Sequence, residues 1–237
     1  MKRVFSLALV VGLAAVQSAS AATVFYDFGD GAQQTNTSNY NNISVSPPVT
    51  LSLLNSVDST GASTGITVDV TGFFGGSNTN GPTVTTGDAA IFDPQATRDN
   101  AFGHAGTFGA NPLTPKGTVL FGGLDSSGAT AYEFKIFGSR IGATNNREGL
   151  YVATGANSGN GLLNATNNSS TVLTLSGIIP NALGQITLTA EPGPNNTSPE
   201  KFYYLGAVRL VSSAAIPEPT SLVIAGLAAA GFLFRRR

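Results

Sequence analysis

Few side chains in this sequence could perform acid–base or covalent chemistry. His104 is the only histidine and there is no cysteine among the 237 residues. A Ser-His-Asp triad could therefore use only His104, and thiol catalysis and thiolate metal sites are excluded. Gly61-Ala62-Ser63-Thr64-Gly65 has the G-x-S-x-G spacing, but no helix signal follows it as a nucleophile elbow requires, and no Gly-Asp-Ser segment precedes His104. We expect His104 to be exposed or locally hydrogen-bonded in a loop, and we expect the protein not to be an enzyme.

Two pairs of carboxylates lie close in sequence: Asp27 with Asp30, and Asp93 with Asp99. A glycosidase needs two carboxyl groups facing each other across a cleft, which sequence proximity alone does not establish, and acids at the surface are the simpler interpretation. Asp27, Asp30 and the carbonyls of a Gly-rich turn could also form an oxygen cage for calcium, although no D-x-D-x-D-G loop is present. We predict no cofactor and leave a structural calcium open.

Aromatic and basic side chains suggest a possible carbohydrate site. Tyr40, Tyr151, Tyr203 and Tyr204 could stack on a sugar ring, although tyrosines on strands are more often buried and tryptophan is absent. Arg140 and Arg147 could donate to hydroxyls or carboxylates. A salt bridge to Glu133 or Glu148 is the simpler interpretation of these arginines, and we expect it. An extracellular polysaccharide is therefore one candidate binding partner.

Short runs of β-branched and aromatic residues between clusters of Gly, Asn, Ser and Thr predict an all-β fold. Several runs alternate cleanly: Tyr132, Phe134 and Ile136 would share one face of a strand, with Glu133 and Lys135 on the other. We predict an antiparallel, jelly-roll-like β-sandwich. Its strands are expected at 23–28, 43–46, 49–54, 66–74, 118–122, 131–137, 149–154, 171–176, 185–190 and 202–211. Residues 75–117 hold no confident strand apart from a possible short one at 89–92, and so long an insert is usually functional or poorly ordered.

The C-terminus carries an apolar run followed by a cluster of cations. Residues 222–234 contain no polar side chain, and as a helix they would span about 20 Å against a hydrocarbon core of about 30 Å. Arg235, Arg236 and Arg237 would stay on the cytoplasmic side and stop transfer, which leaves the body outside. The run predicts a marginal membrane anchor, with a C-terminal core helix as the alternative. Its bulkiest contacts with lipid would come from Leu222, Val223, Ile224, Leu227, Phe232, Leu233 and Phe234.

A rigid strip precedes this run, since Pro217, Glu218 and Pro219 cannot lie inside a helix. The order of the strip, apolar helix and arginine cluster over residues 214–237 closely resembles the PEP-CTERM sorting signal. That resemblance implies a protein held transiently in the inner membrane of a Gram-negative-type bacterium until an exosortase processes it near the Pro-Glu-Pro motif.

The N-terminus has the organisation of a secretory signal peptide. Lys2 and Arg3 form a positive region, residues 4–16 an apolar region, and Ala19 and Ala21 flank an A-x-A cleavage site. We therefore predict a signal peptide at 1–21, handled by the general secretion machinery, a β-sandwich domain at 22–213 and a sorting signal at 214–237.

The predicted body is acidic. The two signals hold five of the 12 basic residues and one of the 13 acidic ones, so the body carries a net charge of −5. No basic patch indicates a nucleic-acid partner. Segments such as YDFG at 26–29 and GLDSSGATAYEFKIFGSR at 123–140 resemble β-sandwich domains with galactose-binding-like folds, which implies the same architecture. We expect a noncatalytic protein of the cell surface or extracellular matrix; the alternatives are a secreted carbohydrate-binding module and, third, a carboxylate-dependent glycan hydrolase.

Overall fold

The computed structural model describes residues 22–37 and 39–214. The predicted signal peptide with its cleavage-site residues Ala19 and Ala21, the Pro-Glu-Pro strip, the apolar anchor and the arginine cluster all lie outside the described residues. Among the described residues, no helix has the length and apolar character needed to cross a membrane.

Two large sheets form the body. The five-stranded sheet has the order β11 (Leu173–Ile178), β8 (Thr130–Phe137), β14 (Ala207–Ala214), β1 (Thr23–Asp30) and β2 (Tyr40–Ser46). The six-stranded sheet has the order β10 (Ser158–Asn164), β9 (Glu148–Thr154), β12 (Ile186–Pro192), β7 (Gly117–Gly122), β4 (Thr67–Thr71) and β3 (Ser52–Leu53). This arrangement confirms the predicted all-β, jelly-roll-like sandwich.

The core lies between the two sheets and follows the alternation of the strands. Tyr132, Phe134 and Ile136 of β8 are buried there as predicted, whereas Glu133 and Lys135 of the same strand are only partly buried. Phe121 of β7 meets Phe134 edge to face, with 5.4 Å between the ring centroids. Contacts of this kind between opposing sheets bury the apolar face of each strand.

The strand pairs of the described residues are antiparallel with one exception, the parallel pair β1–β2. Parallel pairing requires residues 31–39 to run back along β1. Thr35 fixes this return, because its backbone N–H lies 2.9 Å from both Asp27 Oδ2 and Asn42 Oδ1. The fully antiparallel arrangement expected from the sequence is therefore wrong at this one pair.

A third, small sheet has the order β13 (Phe202–Leu205), β6 (Asn100–His104) and β5 (Ser77–Asn78). The single strand expected at 202–211 is two strands, because the chain passes at Gly206 from the small sheet to β14. Gly206 is required there, since a Cβ would lie 2.7 Å from Asn100 Oδ1.

The long segment 75–117 is ordered and covers the outer face of the five-stranded sheet. It holds β5, β6, a 3₁₀ helix at Gly87–Ile91 and the short helix α1 at Pro94–Thr97, whose N-cap Asp93 accepts from Gln95 N at 2.8 Å. The short strand expected at 89–92 is wrong: Ala89 and Phe92 instead pack as part of this cover against Phe137. Apolar residues in this segment therefore serve a second, smaller core.

Candidate ligand-binding site

The small sheet has one face on the main core and one face toward a cleft. Phe102 pairs with Tyr204, and His104 pairs with Phe202. Directly paired residues of adjacent strands lie on the same face of a sheet, so these four rings share the outer face. The inner face carries residues of the main core, namely Ala101, Tyr203 and Leu205.

Aromatic rings cover the outer face. Phe108, from the loop after β6, lies edge-on to Phe202 with 5.1 Å between centroids, and Phe102 lies 5.7 Å from Phe202. Phe102 and Phe202 are each 8 % exposed, and Phe108 is partly buried. Edge-to-face packing at these distances holds the rings rigidly and leaves an apolar floor.

Arg147 lies over this floor. Its guanidinium carbon is 4.8 Å from the centroid of the Phe202 ring, within the range of a cation–π contact. Arg147 Nη1 donates to the Tyr204 hydroxyl at 2.6 Å, and Arg147 Nε donates to Asn145 Oδ1 at 2.6 Å. Burial raises the pKa of Tyr204 while the nearby arginines lower it, so Tyr204 remains a phenol near neutral pH.

Arg140 lies at the same cleft. Its Nη1 donates to the carbonyl of Ile141 at 2.7 Å. With the Asn80 amide oriented so that its oxygen faces the guanidinium, Asn80 accepts from Nη1 at 2.7 Å and from Nη2 at 3.1 Å. Both acceptors, the Ile141 carbonyl and the Asn80 amide, are neutral. They therefore do not neutralise the positive charge of Arg140.

One backbone segment after β10 positions both arginines. Arg140 N donates to Ala165 O at 2.7 Å, and Arg147 N donates to Thr166 Oγ1 at 2.9 Å. Asn167 N completes the clamp by donating to Arg140 O at 3.0 Å. The two arginines are therefore held by a fixed main chain, although they lie in a connection between strands.

The resulting arginine cleft has a volume of about 310 Å³. Its lining is aromatic, basic or neutral polar, and comprises Ser77, Asn78, Phe102, Phe108, Arg140, Arg147, Phe202 and Tyr204. No acidic side chain is among these residues. The cleft combines an apolar floor with two guanidinium forks, which match the planar geometry of a carboxylate.

The expected salt bridges of these arginines are wrong. The ion pair of the described residues joins Lys116 and Glu191, with Nζ and Oε2 2.8 Å apart. Glu148 instead accepts from the Asn195 backbone and amide at 3.0 and 3.2 Å, and Glu133 accepts from Ser176 Oγ at 2.9 Å. Both carboxylates are thus used locally, which leaves the guanidinium groups without an acidic partner in the described part of the chain.

His104 lies under the cleft rather than in a loop. It is 0 % exposed, on β6, with Phe74, Phe108 and Phe202 around its ring. The prediction of an exposed loop residue is wrong, but the predicted local hydrogen bond is present: Nδ1 lies 2.9 Å from Gly106 O. The buried imidazole of His104 packs against the surrounding aromatic rings, so it is not accessible to a substrate.

Three of the carboxylates singled out by the sequence, Asp27, Asp30 and Asp99, lie near one another. Asp27 is 3 % exposed and accepts from Thr35 N and Oγ1, whereas Asp30 accepts from Ala32 N and Ser77 Oγ. Asp99, 1 % exposed, accepts from Asp30 N at 2.6 Å. Burial raises the pKa of Asp27 to about 6; burial, and then the charge of Asp27, raise the pKa of Asp99 to about 7.

The same carboxylates bear on whether the protein binds a metal ion, which the sequence left open. In residues 22–37 and 39–214, no group of three or more His, Asp or Glu side chains converges closely enough to hold a metal ion. Asp93, the remaining predicted acid, caps α1 and accepts from Thr37 Oγ1 at 2.5 Å. A structural calcium on Asp27 and Asp30 stays a prediction.

The tyrosines are mostly structural. Tyr151 is 0 % exposed and donates to the carbonyl of Tyr204, and Tyr203 donates to Thr114 O at 2.8 Å. The Tyr40 hydroxyl accepts from Asp93 N of the long segment at 2.9 Å. Of the four named tyrosines, only Tyr204 lines the cleft. Sequence reasoning missed the phenylalanines of the cleft, because a buried Phe carries no signal that separates a site from a core.

Comparison with known proteins identifies the C-terminal signal. The family model of the PEP-CTERM protein-sorting motif matches residues 215–237, which confirms the predicted sorting motif; the roles of Pro217, Glu218 and Pro219 within it stay predictions. The motif implies that the chain is exported and that its C-terminus, the membrane-anchoring part, is processed by an exosortase. No curated protein matches the sequence.

Two solved structures show weak similarity to the body. CBM35 from Cellvibrio japonicus Abf62 is 17 % identical over 48 % of this chain and 84 % of its own, with a TM-score of 0.28. An exo-beta-1,3-galactanase from Phanerochaete chrysosporium, solved with beta-1,3-galactotriose, is 16 % identical over 66 % of this chain and 32 % of its own, also with a TM-score of 0.28. Because these TM-scores are low, the fold class rests on the strand order of the chain itself.

Proposed function

We propose that the chain is a noncatalytic protein of the cell surface or extracellular matrix. Its route would use the general secretion machinery, a transient anchor in the inner membrane and release by the exosortase. The anchor would be formed by the apolar residues of 222–234, with Arg235, Arg236 and Arg237 as the stop. The supporting observation is the sorting motif at 215–237, joined to a compact sandwich.

The enclosure of the reactive side chains favours a noncatalytic role over a hydrolase. His104 is 0 % exposed, and the carboxylates with raised pKa, Asp27 and Asp99, are 3 % and 1 % exposed. A carboxylate-dependent glycosidase needs its acid and its nucleophile or base at the surface of a cleft that admits sugar. Neither of these aspartates meets that requirement.

The arginine cleft favours carbohydrate binding as the activity of the body. Its volume of about 310 Å³ is at the small end of ligand pockets, which run from about 300 to 1,000 Å³. This size fits one sugar residue rather than a long segment of polymer. Arg140 and Arg147 would pair with the carboxylate of an acidic sugar, and Phe108 and Phe202 would contact its apolar ring face.

The body as a whole is anionic, with a net charge of −5. Long-range electrostatics therefore oppose an acidic polysaccharide, and attraction would come only from the local charges of the cleft. We accordingly expect selectivity for acidic sugars to come from short-range pairing with the two arginines. The ligand would be part of the extracellular polysaccharide around the cell.

Titration of the purified 22–214 body with matched oligosaccharides tests this proposal. Uronic-acid oligosaccharides should bind, and neutral ones of the same length should bind at least about tenfold more weakly, since hydrogen bonds to charged groups contribute about 1.5–3 kcal/mol. Arg147→Gln should reduce binding about tenfold or more. Arg147→Lys should rescue it only in part, because an ammonium keeps the charge but loses the fork.

Arg209→Gln provides the matched control. Arg209 lies on β14, paired with Phe25 and Lys135 and away from the cleft, so its loss changes the net charge equally without touching the proposed site. Urea unfolding of each variant separates lost binding from lost folding. Equal binding of acidic and neutral sugars, or equal effects of Arg147→Gln and Arg209→Gln, would refute the assignment of this cleft.

A further inference from the structure

The beginning and the end of the described chain are joined in the sheet. Ala22 N donates to Ser212 Oγ at 3.1 Å, and Ser212 N donates to Ala22 O at 3.2 Å. Thr23 pairs with Val211 in the β1–β14 ladder. The start of β1 and the last residues of β14 therefore lie side by side.

The same end of the sheet carries the last residue of β14. Ala214 pairs with Thr130, the first residue of β8. We call this edge, with Ala22, Thr130 and Ala214, the terminal end. The connection 58–62 also lies here, since Ser59 N donates to Thr23 O at 2.8 Å.

Both processing positions must lie close to the terminal end. Signal cleavage is predicted after Ala21, directly before Ala22. Pro217 is three residues past Ala214, so at about 3.6 Å per extended residue it lies within about 11 Å of Ala214. The strip that the exosortase recognises thus cannot be far from the body.

The arginine cleft lies at the opposite end of the same strands. Phe137, the last residue of β8, pairs with Ala207, the first residue of β14. Arg140 follows Phe137 by three residues, and Tyr204 precedes Ala207 by three. The seven residue steps from Thr130 to Phe137 separate the two ends by about 23 Å.

Charge at the terminal end opposes its adhesion to lipid. Asp58 and Asp125 lie in its loops, and Thr130 Oγ1 donates to Asp125 Oδ2 at 2.6 Å. Hydrogen bonds from Thr60 and the backbone lower the pKa of Asp58, and bonds from Thr130 and Ser127 lower that of Asp125. Both carboxylates are thus ionised near neutral pH and are repelled by anionic headgroups.

We infer that the terminal end is the face that the anchored protein presents to the membrane and its exosortase, and that the arginine cleft faces away from the membrane. Both chain ends leave the body at the terminal end, so this end lies nearest to the anchor. The acidic loops of the terminal end keep it from adhering to the lipid surface. The cleft is then open to the periplasm while the protein is still anchored. This orientation follows from strand register and holds whatever ligand the cleft takes.

Single-cysteine labelling tests the orientation without background, because the chain has no cysteine. Ser126→Cys places a probe in the loop before β8 at the terminal end, and Thr144→Cys places one between the two arginines. Both positions are exposed and lie outside the hydrogen-bond network described above. Each variant of residues 22–237 is labelled with a fluorophore and reconstituted into vesicles that carry a headgroup nitroxide quencher.

We expect the Ser126 probe to be quenched several-fold more strongly than the Thr144 probe. Chains that end at Ala214 should show no quenching at either position, which controls for collisions with the vesicles. Stronger or equal quenching at Thr144, or no quenching at either position in a chain that floats with the vesicles, would overturn the inference. Failure of the 22–237 chain to float would refute the anchor on which the inference rests.

Discussion

At the scale of single residues, the buried carboxyls Asp27 and Asp99 make stability depend on pH. Their pKa values are raised from 3.8 to about 6 and about 7 in the folded state. Between about pH 4 and pH 7 the folded state therefore binds more protons than the unfolded state. Stability is highest when both carboxyls are protonated, and it falls as pH rises through this window.

We therefore predict that the free energy of unfolding decreases from pH 4.5 to pH 7.5. A shift of one pKa unit corresponds to about 1.4 kcal/mol, so the full effect is on the order of 3 kcal/mol for Asp27 and about 4 kcal/mol for Asp99. Asp99→Asn should make the decrease about half as steep. Urea unfolding at four pH values in this range measures how the free energy of unfolding depends on pH in the native chain and in Asp99→Asn.

Asp125→Asn is the control for this prediction, because Asp125 is only partly buried at the terminal end and its pKa is lowered rather than raised. Its titration lies below the window, so the slope should match that of the native chain. A native chain that becomes more stable between pH 4.5 and pH 7.5 would contradict the prediction, as would an unchanged slope in Asp99→Asn.

Residue types allowed part of the site to be predicted. Arg140 and Arg147 could be selected as donors because an arginine at the end of a strand has few apolar roles. Their freedom from Glu133 and Glu148 could not be predicted, because it depends on Ser176 and Asn195, which reach those acids only in the folded chain. Sequence spacing does not encode such competition between donors.

At the scale of elements, β6 positions the floor of the cleft and depends on a glycine. Gly103 faces the core side of β6, where an added Cβ would lie 2.0 Å from the Tyr203 hydroxyl and 2.7 Å from Thr114 O. Tyr203 cannot move away without losing its hydrogen bond to Thr114 O. The close approach of β6 and β13 thus requires glycine at this position.

We predict that Gly103→Ala destabilises the body by about 1–3 kcal/mol, the usual cost of overpacking a core. Binding of ligand in the cleft should weaken as well, because Phe102 and Phe202 would shift with their strands. Gly75→Ala is the control, since nothing lies within 4 Å of a Cβ there. Thermal unfolding of both variants decides the matter, and equal midpoints would contradict the prediction.

Strands were predictable where side chains alternate and were missed where glycine replaces them. β8 follows the pattern of Tyr132, Phe134 and Ile136, whereas β10 was missed because its sequence SGNGLLN lacks β-branched and aromatic residues. The glycines of β10 have a packing role. A Cβ at Gly159 would lie 2.9 Å from Ile178 Cδ1, and one at Gly161 would lie 2.5 Å from Leu173 Cδ1.

At the scale of the whole molecule, the boundary between body and tail can be tested by separating the motif from the anchor. Replacing Pro217, Glu218 and Pro219 with alanines should block C-terminal processing but leave the precursor in the membrane. Replacing Arg235, Arg236 and Arg237 with glutamines should instead weaken membrane retention, because an apolar run of about 20 Å has little margin without its charged end.

The measurement is mass spectrometry of the mature C-terminus with membrane fractionation, in a host that carries a matching exosortase. A chain truncated after Ala214 serves as the control and should be soluble, with circular dichroism dominated by β-structure. The prediction is contradicted by a mature protein in the soluble fraction that still ends at Arg237, or by normal processing of the alanine variant.

A few hydrogen bonds link the edge strands at both sides of the sandwich, which bears on how those edges could meet other chains. At one edge, Ala156 N and the Asn157 side chain bond to Ile179 O and Gly177 O, so that the β9–β10 hairpin is fastened to β11. At the other, Ser44 and Thr50 exchange backbone hydrogen bonds of 2.9 Å and join β2 to the segment leading into β3. Exposed strand edges are the usual templates for intermolecular pairing. Since these contacts tie edge strands of one sheet to the other sheet or to the segment leading into it, we expect the sides of the sandwich to pair with other chains less readily than free edges would.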